Sequence, residues 1–256
     1  MASECSGRGK LPDDTIANLR FSADPPFDPE ILRALFSRDV VVEIARPALI
    51  ADELFPEELL HIARAVEKRK AEFAAARQCA RRALARLGIA PCALVPLADR
   101  SPYWPAGVKG SITHTAGCCA VAVTIAPDIV GIGLDIEQGE GLDPKLERLV
   151  CTPAELAWLH RHPSDRSLLA KLFFSAKEAF YKCQYGLTRT LLDFQDVEIE
   201  LDRARQAFRV RDVRSDLPRR HLVRQIAGRF QRVGGYVIAA AMLRSSDLRD
   251  EPTRHA

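Results

Sequence analysis

Asp135 and Glu137 stand two residues apart in the stretch VGIGLDIE, residues 130–137. Apolar residues alternate there, at Ile132, Leu134 and Ile136, which predicts a strand. Gly131, Gly133, Asp135 and Glu137 then share its opposite face. Neighbours on one strand face lie about 6.5–7 Å apart. Two carboxylates so placed repel, and both stay ionised only with a cation between them. The two glycines leave backbone open to an approaching ligand. A divalent metal carrying a phosphate suits such a face. The structural alternative is a strand with a solvated polar edge, and a lone Asp-x-Glu does not exclude it. Three more groups bear chemistry. His114 sits among the hydroxyls of Ser111, Thr113 and Thr115, just ahead of the carboxylates. Glu178 and Lys182 are one helical turn apart in the favourable order, a spacing that alone reads as a surface ion pair worth about 0.3–0.5 kcal/mol. Arg69 and Arg77 lie in a segment whose periodicity places both on its apolar stripe, where arginine needs an anionic partner in the protein or in a ligand.

These groups need elements to hold them. Residues 39–44 (DVVVEI) predict a short buried strand. Residues 56–87 predict one long helix, stopped by Gly88, with Leu59, Ile62, Val66, Phe73, Ala80, Leu84 and Leu87 as its stripe. A Pro/Gly-rich loop follows over 98–110. The apolar run CCAVAVTI reads as a buried strand paired with 130–137 across a turn at Pro127 and Asp128. Thr152, Pro153 and Glu155 spell a helix start. A second long helix covers 165–184, with Leu169, Leu172, Phe173, Ala176 and Phe180 inward and Lys171, Glu178 and Lys182 opposite. Runs at 197–201, 207–212, 228–233 and 236–243 read as a β meander. No close repeat is visible, yet each half carries a long helix and an apolar strand, as a duplicated fold would.

The 256 residues, 47% hydrophobic and 28% charged, are those of a globular chain with an ample core. A net charge of +3 argues against a nucleic-acid binder. Charge is uneven, however: residues 203–232 hold ten arginines against Asp212 and Asp216, a solvated face or a docking site for an acidic partner. Seven scattered cysteines form no metal spacing and suit a reducing cytoplasm. The first residues lack the apolar core of a signal peptide, and the longest apolar run, 116–126, is too short to span a bilayer.

Four stretches together carry a family resemblance: KRKAEFAAAR (68–77), RSPYWPAGVKGSITH (100–114), IGLDIE (132–137) and FSAKEAFYK (174–182). In order and in spacing they resemble the 4′-phosphopantetheinyl transferases of the large single-chain type, the branch of enterobactin-synthase component D, over about residues 50–245. Two departures are visible: Ala76 stands where the family often has Gly, and Arg100 near a place often held by Lys. The resemblance implies transfer of the 4′-phosphopantetheine arm of coenzyme A to a serine of an apo acyl or peptidyl carrier protein, with release of adenosine 3′,5′-bisphosphate. It implies Mg²⁺, or Mn²⁺, held by Asp135, Glu137 and Glu178. Glu178 would take the serine proton, directly or through a water, and Lys182 and Lys177 would stabilise charge on the diphosphate. Arg69, Arg77, Arg100, Thr113 and His114 would hold the phosphates. The implied fold is α+β: two similar lobes in pseudo-twofold arrangement, 31–128 and 129–245, between a loosely ordered segment 1–30 and a polar tail 246–256. A monomer with coenzyme A in the cleft between lobes is expected. The same carboxylates would serve a Mg²⁺-dependent phosphohydrolase, and the same fold a non-catalytic module that binds coenzyme A or carrier protein.

Overall fold

The computed structural model describes residues 25–46, 54–139 and 141–247. The expected loose segment 1–30 lies outside these up to residue 24. Its last residues are ordered: Phe27 is buried, and the Asp28 carboxylate accepts from Glu30 N–H at 2.9 Å, capping α1 (Pro29–Arg33). Of the tail, Ser246 and Asp247 belong to a 3₁₀ turn and the rest lies outside the described residues.

The chain is a mixture of helices and antiparallel sheets, as expected. β1 (Val41–Ala45), β2 (Lys109–Thr115) and β3 (Cys118–Thr124) form a three-stranded sheet of order β1-β3-β2. β4 (Ile129–Gln138), β5 (Val197–Asp202), β6 (Ala207–Val213), β7 (Ala227–Val233) and β8 (Tyr236–Arg244) form a five-stranded sheet of order β4-β8-β7-β6-β5. The predicted meander is its β5–β8 part. Ile132, Leu134 and Ile136 of β4 pack with Val42, Cys118 and Ala120 in the core between the sheets. The outer face of the first sheet carries α3 (Glu67–Arg86). The outer face of the second carries α6 (Arg166–Thr188), through Phe173, Ala176 and Phe180. Short helices α4 (Pro144–Val150), α5 (Pro153–His160) and α7 (Arg220–Val223) complete the chain. The Thr152 start of α5 is a true capping box.

Three expectations are corrected. The single helix 56–87 is two helices, α2 (Pro56–Ile62) and α3, separated by a turn. Glu58 and Arg81 would stand about 35 Å apart on one helix. Folding α2 back instead brings Arg81 to both oxygens of the buried Glu58 at 2.9 Å, and Ile62 onto Phe73. Leu59 and Val66 of the predicted stripe are exposed as a result. Second, CCAVAVTI (β3) pairs with β1 and β2, not with 130–137. Among the described residues β4 pairs only with β8, and its other edge is served by side chains described below. Third, Gly131 and Gly133 do not open β4 to a ligand. They let the α6 backbone lie on the strand: a Cβ at Gly131 would meet the Cys183 carbonyl oxygen at 2.9 Å, and one at Gly133 would run into that of Ala179. Gly133→Ala is therefore expected to lower stability by about 1–3 kcal/mol through overpacking, read by urea unfolding. A variant as stable as wild type would mean that α6 can stand off the strand freely.

The arginine-rich stretch is also not an unopposed basic face. Arg203 pairs with Asp165 at 2.7 Å, Arg205 with Asp202 at 2.8 Å, Arg209 with Glu200 at 2.8 Å and Arg211 with Glu198 at 3.2 Å. The acids come largely from β5, just before the arginine run, and the β5–β6 register sets Glu200 opposite Arg209.

Candidate active site

β2 joins the two halves of the site because its side chains alternate. Ser111 and Thr113 point to β4, Ile112 and His114 to α3. The edge N–H groups of Leu134 and Ile136 donate to Ser111 Oγ at 2.9 Å and Thr113 Oγ1 at 3.2 Å. Buried backbone donors need such partners, and here hydroxyls stand in for a neighbouring strand. Thr113 Oγ1 also donates to Asp135 Oδ1 at 3.3 Å. Thr113, expected among the phosphate-holding residues, thus spends its hydroxyl within the protein, between Ile136 N–H and Asp135.

Asp135 is buried. Lys182 Nζ donates to its Oδ1 at 2.8 Å and to the Leu134 carbonyl at 3.0 Å. The expected Glu178–Lys182 pair is therefore not the contact Lys182 makes. Asp135 Oδ2 is buried without a hydrogen-bond partner. Glu137, on the same face, has Lys171 Nζ of α6 at 3.8 Å. Burial, and then the Asp135 charge, push its carboxyl up to about 7. Burial likewise raises Glu178, against the attraction of Lys182. Lys171 and Lys182 therefore both face the acids of β4. Among the described residues no three acids, histidines or cysteines close into a group able to hold a metal alone.

Because burial raises Glu137 from 4.5 to about 7, folding favours its protonated form. Its contribution to stability is full below 4.5 and is lost as pH rises through 7. In EDTA, the melting temperature of wild type should fall over that window more than that of Glu137→Gln. Parallel pH profiles would refute the burial.

Across β2, Arg69 Nη1 is 2.8 Å from His114 Nε2. A guanidinium only donates, so Nε2 is the acceptor and the neutral imidazole carries its proton on Nδ1, which faces Glu72 at 3.8 Å. Burial, then Arg69 and Lys182, lower the His114 pKa against the pull of Glu72 and Asp135. Glu72 also lies 3.7 Å from Arg69. Sequence reasoning missed Glu72 as part of this group, although it stands one helical turn after Arg69 on the face that β2 meets. Arg77 lies deeper and is buried. Its guanidinium sits 4.1 Å over the Phe73 ring, its Nε has no acceptor, and burial lowers its pKa to about 10. Among the described residues no carboxylate pairs with it; the nearby Glu58 is occupied by Arg81 and by Leu94 N–H at 2.8 Å. Arg100, in an exposed loop, joins Arg69 and Phe73 around a cleft of about 400 Å³.

Lys177 is a correction. Its ammonium is buried and bonds Glu155 at 2.7 Å and the carbonyls of Val150 and Phe194 at 2.8 and 2.7 Å. All three N–H groups are occupied, so Lys177 ties α6 to α5 and the loop before β5.

The matches to known proteins follow this layout. The model of the 4′-phosphopantetheinyl transferase N-terminal domain matches residues 55–124, and that of the 4′-phosphopantetheinyl transferase superfamily residues 131–241. The chain is 44% identical over 151 residues to 4′-phosphopantetheinyl transferase Svp of Streptomyces mobaraensis, covering 58% of this chain and 61% of that protein. It is 40% identical over 148 residues to 4′-phosphopantetheinyl transferase Npt of Nocardia iowensis, covering 57% and 66%. With enterobactin synthase component D of Escherichia coli K12 it shares 36% over 131 residues, covering 50% and 61%. The chain thus spans less than two thirds of the length of these relatives. The two family models lie either side of the β3–β4 turn and together take in α3, β2, most of β4 and α6, and the chain belongs to the 4′-phosphopantetheinyl transferase superfamily.

Proposed function

We propose that this chain transfers 4′-phosphopantetheine from coenzyme A to a serine of an apo acyl or peptidyl carrier protein, releasing adenosine 3′,5′-bisphosphate. One observation carries the reading. At the β2–β4 seam, beneath α6, an acid set (Asp135, Glu137, Glu178) with its lysine meets an arginine–histidine set on α3 and β2. Asp135 Oδ2 lacks a partner, and burial, with the nearby Asp135 charge, raises the carboxyls of Glu137 and Glu178. Both features suit a divalent cation held by Asp135, Glu137 and Glu178. Mg²⁺ takes few protein ligands and completes its shell with water and phosphate, so a protein set that does not close by itself is compatible with it. Bound there, Mg²⁺ or Mn²⁺ would neutralise diphosphate charge.

The chain's own residues do the rest. Arg69, Arg77 and Arg100, with His114, hold the phosphates; guanidinium forks match phosphate oxygens. Glu178, whose carboxyl is raised by burial, takes the serine proton, directly or through a water. The serine oxygen bonds the phosphorus that bears pantetheine, and the bridging P–O bond breaks. Lys182 stabilises charge on the departing bisphosphate. The reading includes two lobes, 31–128 and 129–245, related by a pseudo-twofold; one long helix on each sheet supports it. It also takes the chain as a cytoplasmic monomer. Among the described residues no helix is long and apolar enough to cross a membrane.

The test is intact-protein mass spectrometry of apo carrier protein with this chain, coenzyme A and Mg²⁺. A gain of roughly 340 Da on the carrier, the covalent mass of phosphopantetheine, is expected. Consumption of coenzyme A without that gain would mean a phosphohydrolase, and neither change a binding module.

A further inference from the structure

The loop that carries Arg100 is closed on itself. Tyr103 N–H donates to the Val95 carbonyl at 3.0 Å, Leu97 N–H to Ser101 at 2.8 Å and Arg100 N–H to Leu97 at 2.9 Å. Arg100 holds a left-handed backbone, φ 68°, which a non-glycine residue keeps only where its surroundings over-determine it. Bonded in this way the loop forms one turn, and its aim depends on what ties it to the rest of the chain. Asp99 is one such tie. Its Oδ1 accepts from Ser101 N–H at 2.9 Å and Ser101 Oγ at 2.6 Å. Its Oδ2 accepts from the Tyr185 hydroxyl at 2.7 Å, with Arg189 Nη1 at 3.7 Å. Arg189, the left-handed cap of α6, also lies 5.7 Å over the Tyr185 ring.

Tyr185 stands three residues, about 4.5 Å along the axis, beyond Lys182 on α6. The contact therefore spans from one wall of the Arg69–Arg100 cleft to the helix that carries Glu178 and Lys182. It is exposed, and exposed pairs add little to stability, so variants at Tyr185 and Asp99 should stay folded. We propose that Tyr185 and Asp99 are positioning residues that clamp the Arg100 loop to α6, setting the aim of Arg100 at the 3′-phosphate end of coenzyme A. The Ser101 and Tyr185 hydrogen bonds hold Asp99 down to about 2, so the clamp is intact throughout the neutral range. The inference rests on the reading of this cleft as the coenzyme A site.

The experiment measures affinity for coenzyme A and for dephospho-coenzyme A by titration calorimetry in wild type, Arg100→Ala, Tyr185→Phe, Asp99→Asn and the double variant Tyr185→Phe/Arg100→Ala. Circular dichroism melts check that each is folded. Tyr185→Phe keeps the ring and loses one exposed hydroxyl. Arg100→Ala should lose discrimination between the two ligands. Tyr185→Phe and Asp99→Asn should lose part of it, weakening coenzyme A binding about threefold to tenfold, the scale of ordering one side chain, with dephospho-coenzyme A little changed. On Arg100→Ala, Tyr185→Phe should add nothing. Wild type that does not bind coenzyme A, or Arg100→Ala equal to wild type, overturns both the reading of the cleft and the clamp. With those two effects present, unchanged discrimination in Tyr185→Phe, or additivity in the double variant, overturns the clamp alone.

Discussion

Asp135→Asn should give a folded protein whose phosphopantetheine transfer is reduced by at least about 10²–10³-fold, the usual loss when a preorganised charge-stabilising group is removed. The asparagine oxygen can still accept from Thr113 and Lys182, which now bond Oδ1 at 3.3 and 2.8 Å. What disappears is the negative charge, and the unpaired Oδ2 becomes an amide NH2, a buried donor that costs about 1–3 kcal/mol where no acceptor reaches it. Two further stability effects oppose each other. Lys182 loses an ion partner, but it keeps the Leu134 carbonyl at 3.0 Å and is one-quarter exposed, so water can take over. Glu137 loses a repelling neighbour. The melting temperature should therefore fall modestly, while rate falls steeply. Transfer within tenfold of wild type at saturating Mg²⁺ would remove Asp135 from the chemistry. Low activity together with a collapsed melting curve would make it structural.

Arg77→Met should melt at a higher temperature than wild type without ligand, and bind coenzyme A more weakly by roughly 1.5–3 kcal/mol, the value of a hydrogen bond to a charged group. The two signs differ for one reason. A buried guanidinium whose Nε has no acceptor carries a desolvation cost of several kcal/mol, which contact with Phe73 returns by up to about 2 kcal/mol. Methionine keeps the length and the apolar contact and has no charge to desolvate. If the missing anion is a phosphate of coenzyme A, that ligand should raise the melting temperature of wild type more than that of the variant. Calorimetry and melts with and without coenzyme A read both quantities. A variant that melts earlier and binds like wild type would make Arg77 a structural cation, and the ligand would not lie against α3.

Local pattern made several elements legible. Alternation marked β4 and the meander, Thr152 and Pro153 marked the start of α5, and 3.6-residue spacing marked the inward face of α6. The break between α2 and α3 was not legible, because residues 63–66 contain no glycine or proline. The chain turns there to bury the Glu58–Arg81 pair, a gain that no local window contains. Glycine-before-carboxylate spacing on β4 was visible, yet its use was not. The bare strand face accepts a helix backbone, and that close approach brings Glu178 and Lys182 over the acids.

The sequence by itself determined which groups are present and which share an element. Asp135 and Glu137 lie on one strand face, Glu178 and Lys182 one helical turn apart, and Arg69 and Arg77 on one helix. Those relations follow from fixed periods of 2 and 3.6 residues. Only the tertiary structure decided partners. Lys182 went to Asp135 rather than Glu178, Lys177 to Glu155 and two carbonyls, and Thr113 to the edge of β4. Arg77 was left with an aromatic ring. Each choice turns on a few ångströms between elements far apart in the chain, and on which groups packing removes from water. A lysine reads the same in sequence whether its ammonium meets a carboxylate of the site or three acceptors in the core.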